Sequence, residues 1–376
     1  MSKGLEGVVA AETTLSQVFG EEGRLVYRGY EIEDLAANAT FEEVCWLLWN
    51  EDLPTASELS SLRAELAAAA PLDGRVFDVI RLQPQGAHPM ATLRTAASAL
   101  SFVDPDAEDM SEAANRRKAV RITAQLATIS AAIDRVRKGQ QPVEPDPSLP
   151  FGANFLYMLT GDRPDALRAR IIDAALTLHA EHGLNASTFA ARVTAATLAD
   201  MHSAIVAAIG ALKGPLHGGA NEQVMAMLKK IGAPEKAESF VMDALGRGDK
   251  VMGFGHRVYR TTDPRAPILR DLSLQLASRG EKTPWLDISN RVVEVMRREM
   301  DARGKRIYPN VDFFSASVYY TIGIATDLFT NVFAIARAAG WTAHVMEQYA
   351  NNRLIRPEAD YTGPFGRKVV PIAQRG

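Results

Sequence analysis

Four segments of the 376-residue chain carry side chains suited to chemistry. In Lys213-Gly214-Pro215-Leu216-His217-Gly218-Gly219-Ala220-Asn221-Glu222, a histidine sits in a glycine-flanked loop that opens onto a helix starting near Asn221. Glycine lets a ligand approach the backbone, and a helix N-terminus disfavours an imidazolium, leaving a neutral ring that can donate a hydrogen bond. The same loop also reads as a turn histidine tied to backbone. The second segment runs from Lys250 to Arg265 and holds Gly253-Phe254-Gly255-His256 followed by Arg257, Arg260 and Arg265. That cationic density fits an anion site, because guanidinium groups bind carboxylate and phosphate in bidentate fashion. A solvated basic loop is the plainer alternative. In the third, Tyr308-Pro309-Asn310-Val311-Asp312-Phe313-Phe314, a carboxylate lies among apolar residues. Desolvation would raise its pKa and make it a carbon base, or Asp312 simply N-caps a helix beginning at Phe313. The fourth, His179-Ala180-Glu181-His182, puts two histidines on one helical face. With no third ligand at a suitable spacing, a metal is not expected, and one histidine facing a ligand fits better.

Mostly helical elements must position these groups. Leu5 to Thr14 and Arg24 to Tyr30 read as strands, the second following a turn at Gly20-Glu21-Glu22-Gly23. Thr40-Phe41-Glu42-Glu43 resembles a capping box, with Val44, Leu47 and Leu48 on one face of the helix it opens. Helices are expected over 57–69, 91–102, 115–138, 152–159 and 165–181, with a proline-rich connector over 140–150. Residues 188–212 are apolar nearly all round, which predicts a helix buried centrally or against a second subunit. Further helices are expected over 266–278, 285–303 and 314–330, and a strand over 250–254.

Composition narrows the class. The chain is 47% hydrophobic and 23% charged with a formal net charge of −3, which suits a folded globular protein and argues against a nucleic-acid surface. One cysteine, Cys45, excludes a disulfide framework and fits a reducing cytoplasm. No secretory signal or membrane-length apolar run is evident. Only 11 of the 42 basic residues are lysines. Arginine suits anion recognition, although a GC-rich genome gives the same bias. No Gly-x-Ser-x-Gly elbow, Walker loop or dinucleotide fingerprint is present, which disfavours serine acylation, nucleotide hydrolysis and hydride transfer.

Taken in order, these segments resemble the citrate synthase family in its short form. The resemblance rests on Gly-Pro-Leu-His-Gly-Gly-Ala-Asn at 214–221, Gly-Phe-Gly-His-Arg-Val-Tyr-Arg at 253–260 with Thr-Asp-Pro-Arg to 265, and Pro-Asn-Val-Asp-Phe at 309–313. Ile335 to Trp341 and Leu354-Ile355-Arg356-Pro357 extend it towards the C-terminus. It implies an all-α homodimer with a large domain over 1–217 and 322–376 and a small closing domain over 218–321. It also implies condensation of acetyl-CoA with oxaloacetate, followed by thioester hydrolysis. His217 matches the histidine that hydrogen-bonds the acetyl carbonyl, Asp312 the base, and His256 the histidine polarising the ketone. His182, Arg265 and Arg337 match oxaloacetate ligands, and Arg356 an arginine from the other subunit. For coenzyme A the family's pattern points to Val251, Met252, Gly253, Phe254 and Gly255, with Lys250, Arg260 and Lys305 as phosphate contacts. No permanently bound cofactor is expected, since the coenzyme A thioester enters as co-substrate. The absence of a larger N-terminal β-rich extension argues against NADH regulation. The same motifs serve propionyl-CoA and 2-methylcitrate formation. A non-catalytic dicarboxylate or coenzyme A sensor is the reading from another class.

Overall fold

The computed structural model describes residues 3–5, 7–279 and 284–375. A small antiparallel sheet opens the chain, with β1 (Ser16–Phe19), β2 (Arg24–Tyr27) and β3 (Tyr30–Glu31) in that spatial order. Ser16 pairs with Tyr27 and Phe19 with Arg24, so the glycine-bounded segment is indeed the hairpin turn. The strand read over 5–14 is corrected. Residues 7–14 form none, Val8 and Val9 lie exposed without a pairing strand, and Glu6 falls outside the described residues. Strand propensity has effect only where a neighbour can be paired and packed.

Among the described residues the other long elements are α-helices, joined by loops and short single-turn helices. In chain order the helices are α1 (Ile32–Asn38), α2 (Phe41–Asn50), α3 (Ala56–Ala69), α4 (Gly74–Arg81), α5 (Pro89–Ala99), α6 (Glu112–Arg137), α7 (Phe151–Thr160) and α8 (Ala166–His179). They continue as α9 (Ala186–Ala195), α10 (Met201–Leu212), α11 (Ala220–Ile231), α12 (Ala237–Arg247), α13 (Arg265–Ser278), α14 (Pro284–Ala302), α15 (Val311–Thr321) and α16 (Phe329–Ala350). Local chemistry fixes several starts. Thr40 and Glu43 form the reciprocal capping box on α2, and Thr55 and Glu58 repeat it on α3.

Three expectations change. The apolar run over 188–212 is two helices, because Leu198 takes a left-handed conformation (φ 63°) and the Asp200 side chain caps α10. The helix buried on every side is instead α16, with 18 of its 22 residues buried. It packs against α6, α8, α9 and α10, so residues on it are held from several directions. The helix read over 314–330 stops at Thr321, where residues 322–325 turn the chain towards α16. Apolar texture continues across that turn, so periodicity misses it. The strand read over 250–254 reduces to a single bridge between Phe254 and Pro309.

Candidate active site

The loop after α10 carries His217, whose amide donates to the Gly214 carbonyl at 2.9 Å. Its Nε2 faces Ser187 on α9, 3.3 Å from the backbone nitrogen and 2.8 Å from Oγ. A backbone N–H can only donate, and the Ser187 amide, which also donates to Asn185 Oδ1 at 3.1 Å, shares its proton with Nε2, an arrangement that puts the ring proton on Nδ1. Ser187 is itself held, its Oγ accepting from Trp341 Nε1 at 3.1 Å and lying 2.8 Å from Asn185 Oδ1. Burial, with the nearby Arg337 charge, lowers the imidazole pKa to about 4. The neutral ring expected from the loop is therefore present, with burial and then a cation as its causes.

His256 is delivered by a loop fastened to the segment before α15. Gly255 N donates to Tyr308 O at 2.8 Å, Asn310 N to Gly253 O at 2.9 Å, and Asn310 Nδ2 to Gly255 O at 2.9 Å. Gly253 has φ 79°, and a Cβ there would meet Phe313 and Val224 side chains at 2.8 Å. Only glycine permits both that turn and that approach. His256 Nδ1 accepts from the amides of Val258 and Tyr259 at 3.0 and 3.1 Å, which leaves Nε2–H free to donate. Burial, and after it the Arg265 charge, lowers this ring to about 4 as well. His182, His256 and Tyr259 form one aromatic cluster, with His182 5.4 Å from His256 and 5.6 Å from Tyr259 between ring centroids. His182 Nε2 lies 3.2 Å from the Tyr259 hydroxyl, and burial drives its pKa well down.

Asp312 is not the cap of its helix. Asn310 caps α15 by accepting from the Asp312 amide at 3.1 Å, which frees the Asp312 carboxylate for other use. Its Oδ1 is buried without a hydrogen-bond partner among the described residues. Burial raises its pKa from 3.8 to about 7, and Arg265 and Arg337 oppose that only in part. An unpaired carboxylate that ionises near neutrality is what a general base requires.

The cations divide into paired and unpaired. Arg265 is buried in a bidentate pair with Asp263, at 2.9 and 2.8 Å. Asp263 also accepts from Val311 N at 3.2 Å, tying the arginine to the start of α15. Arg337 on α16 is 1% exposed and makes no ion pair among the described residues. Its Nε donates to His179 O at 2.7 Å and its guanidinium lies 4.8 Å over the Phe333 ring. Burial lowers its pKa to about 10, against the attraction of Glu181, so it stays charged near neutrality. A buried cation with free donors is suited to an incoming carboxylate. Phe333 touches the rings of both His179 and His217, at 5.1 and 6.1 Å, and so braces the groups around Arg337.

Of the remaining expected residues, Arg260 lines a cleft of about 660 Å³ together with His256, Tyr259, Arg306 and Tyr308. Gly255 also lines it, whereas Val251 is buried and Met252 and Phe254 pack against the core. Lys250 and Lys305 are exposed and stand outside that lining. Arg356 is exposed in the segment beyond α16. Among the described residues no cluster of three or more His, Cys, Asp or Glu could hold a metal. Among those residues, too, no helix is long and apolar enough to cross a membrane. Sequence reasoning missed Ser187, Asn185, Trp341 and Phe333, which act only through contacts distant in sequence, and Arg306, which neighbours the Lys305 it named.

Comparison with known proteins identifies the family. Residues 4–358 match the family model for the citrate synthase C-terminal domain. A citrate synthase of Haloferax volcanii is 50% identical over 380 residues, covering 100% of this chain and 99% of that protein. Citrate synthase 2 of Bacillus subtilis is 48% identical, again with 100% and 99% coverage. A Corynebacterium glutamicum protein named 2-methylcitrate synthase 2 is 43% identical, covering 99% of this chain and 97% of its own. Among solved structures, the Thermoplasma acidophilum citrate synthase in ternary complex with carboxymethyl coenzyme A and oxaloacetate superposes with a TM-score of 0.94. It is 35% identical, with 100% of this chain and 99% of that one covered. The chain belongs to the citrate synthase family.

Proposed function

We propose that this enzyme condenses acetyl-CoA with oxaloacetate and hydrolyses the resulting citryl-CoA to citrate and coenzyme A. The observation that carries the reading is the joint presence of an unpaired carboxylate near neutral pKa, Asp312, and two neutral histidines with fixed donor nitrogens. Asp312 takes a methyl proton from the thioester. As charge develops on the thioester oxygen, Nδ1–H of His217 donates a hydrogen bond to it, which makes so weak a carbon acid reactive. The enol carbon then attacks the ketone of oxaloacetate, forming the carbon–carbon bond, while Nε2–H of His256 donates to the ketone oxygen. Arg337 and Arg265 hold substrate carboxylates with His182 beside them. Water finally cleaves the thioester and coenzyme A leaves as the thiol.

The cleft lined by Arg260 and Arg306 suits the phosphates of coenzyme A, with backbone around residues 251–255 beside it and Lys250 and Lys305 as outer contacts. Closure of the part over 218–321 on the remainder would exclude water from the enol. We further infer a homodimer in which Arg356 of the partner subunit completes the carboxylate clamp. In support, the exposed segment after α16 carries Leu354, Tyr361, Phe365 and Val369, an unusual number of uncovered apolar side chains. The reading also carries a cytoplasmic location, in keeping with the single buried, free Cys45.

A second acyl group has its own support in the 43% identical 2-methylcitrate synthase, because one methylene is worth only about 1–3 kcal/mol of discrimination. Thiol release measured with acetyl-CoA and propionyl-CoA, each with oxaloacetate, tests both readings. A higher kcat/KM with acetyl-CoA is expected. The reverse ratio assigns 2-methylcitrate formation, and no release with either leaves only a binding protein.

A further inference from the structure

Glu181 lies beside the substrate histidine His182 yet has no part in the reaction above. Its side chain and that of His344 are both 0% exposed. Oε1 accepts from Ser16 Oγ at 2.9 Å and lies 3.0 Å from His344 Nε2. Oε2 is buried without a hydrogen-bond partner among the described residues. The carboxylate reaches this position only because α16 carries Gly340 opposite it. A Cβ there would stand 2.2 Å from Oε2.

The other nitrogen of His344 decides its charge. Arg192 Nη1, which can only donate, lies 3.0 Å from Nδ1. Nδ1 therefore carries a lone pair, and the single ring proton sits on Nε2, where it meets Glu181. Arg192 is itself neutralised by Glu347 Oε2 at 2.6 Å and held by Gln348 Oε1 at 3.0 Å. His344 thus gives Glu181 a hydrogen bond but no cation. Arg337, a buried cation with no ion pair of its own among the described residues, also acts on Glu181. It is bound at Nε by the carbonyl of His179, two residues before Glu181.

We propose that Glu181 is a resident counter-charge for Arg337. Held away from the guanidinium by Ser16 and His344, it offsets part of that charge without occupying its donors, and so sets how tightly the site grips a polycarboxylate. The inference rests on the reading of Arg337 as a carboxylate clamp. Its benefit falls on turnover, because a site that bound product with the full field of an unopposed buried arginine would release it slowly. Glu181 acts through Arg337 and touches no reacting atom, which makes it a positioning residue.

Glu181→Gln keeps an acceptor for Ser16 and His344 while deleting the charge. Calorimetric titration is expected to show Kd falling at least fivefold for oxaloacetate and further for citrate, with kcat reduced as release slows. A purely structural role predicts the opposite sign. An unchanged or raised Kd in a cooperatively melting variant overturns the proposal. Ser16→Ala gives an independent reading should the glutamine variant not fold. With one anchor gone, Glu181 can swing onto Arg337 and compete with ligand, so Kd should rise at least threefold, and no rise counts against the idea. His344→Gln supplies an amide N–H in place of Nε2–H and should leave Kd within twofold, whereas a larger change means that His344 contributes charge. Arg337→Met separates the two levels. Oxaloacetate binding that survives this change removes the underlying clamp reading, while lost binding beside an unaltered Glu181→Gln removes the counter-charge alone.

Discussion

Replacing Asp312 by asparagine tests the site from two directions at once. In the folded chain its carboxylate ionises near pH 7 rather than at the ordinary 3.8, because burial outweighs the attraction of Arg265 and Arg337. For an acid whose pKa is raised by folding, the cost to stability is absent below the unfolded pKa. It grows as pH rises through the folded one, then stays constant. At about 1.4 kcal/mol per tenfold change in proton affinity, the penalty is about 4 kcal/mol at pH 8 and less than about 2 at pH 5. Asparagine removes that penalty but leaves a buried amide short of partners, which costs about 1–2 kcal/mol. The net gain is about 2–3 kcal/mol at pH 8 and close to zero at pH 5. With an unfolding entropy of about 2.1 cal/mol/K for each of 376 residues, that corresponds to about 3 °C in Tm at pH 8. Turnover should fall by about 10²–10⁴-fold, the usual share of a general base. Calorimetry at the two pH values, with thiol release as the activity assay, reads both effects. Equal Tm gains at pH 5 and pH 8 would refute the desolvated-carboxylate argument, and near-normal turnover would refute the base.

Other consequences follow from the same geometry. Arg337→Met should weaken oxaloacetate binding by about 30- to 3,000-fold, the range for losing one partner of a buried charge pair, as read by calorimetry. Ser187→Ala removes one of two contacts holding the His217 tautomer; kcat should drop about threefold to tenfold with oxaloacetate affinity unchanged. A shift in that affinity at constant kcat would contradict this role. The acid limb of kcat/KM should fall as pH drops below about 7, when Asp312 gains its proton, with no contribution from His217 or His256 until about pH 4. An acid limb displaced to about pH 4, where His217, His256 or an ordinary carboxylate would titrate, would point to a different base. Gly253→Ala combines a left-handed backbone with a 2.8 Å clash on Phe313 and Val224. It should destabilise the protein by about 2–4 kcal/mol, visible as a lowered melting temperature.

His217, His256 and Asp312 were legible because each stands in a short segment whose neighbours are chemically unusual: glycines beside the first two, aromatic residues beside the third. The helical class was legible from apolar periodicity and from caps such as Thr40 with Glu43. Periodicity failed where tertiary contact decides the backbone. Val8 and Val9 have strand propensity but no strand to pair with, and the run over 188–212 turns at Leu198 although its composition does not change.

Roles of individual side chains divide in the same way. From sequence, Asp312 was open between cap and base; the capping oxygen of Asn310 excludes the cap, and the burial that leaves Oδ1 unpartnered supports the proposed base. Arg265 and Arg337 are indistinguishable as letters, yet one is neutralised by Asp263 and the other is left with free donors in the core. Which nitrogen of His217 bears its proton depends on Ser187, thirty residues away in sequence, and the charge of His344 depends on Arg192, 152 residues away. Residue types and their spacing set which chemistry is possible. Burial and hydrogen-bond partners set the protonation states, and only the folded chain supplies those.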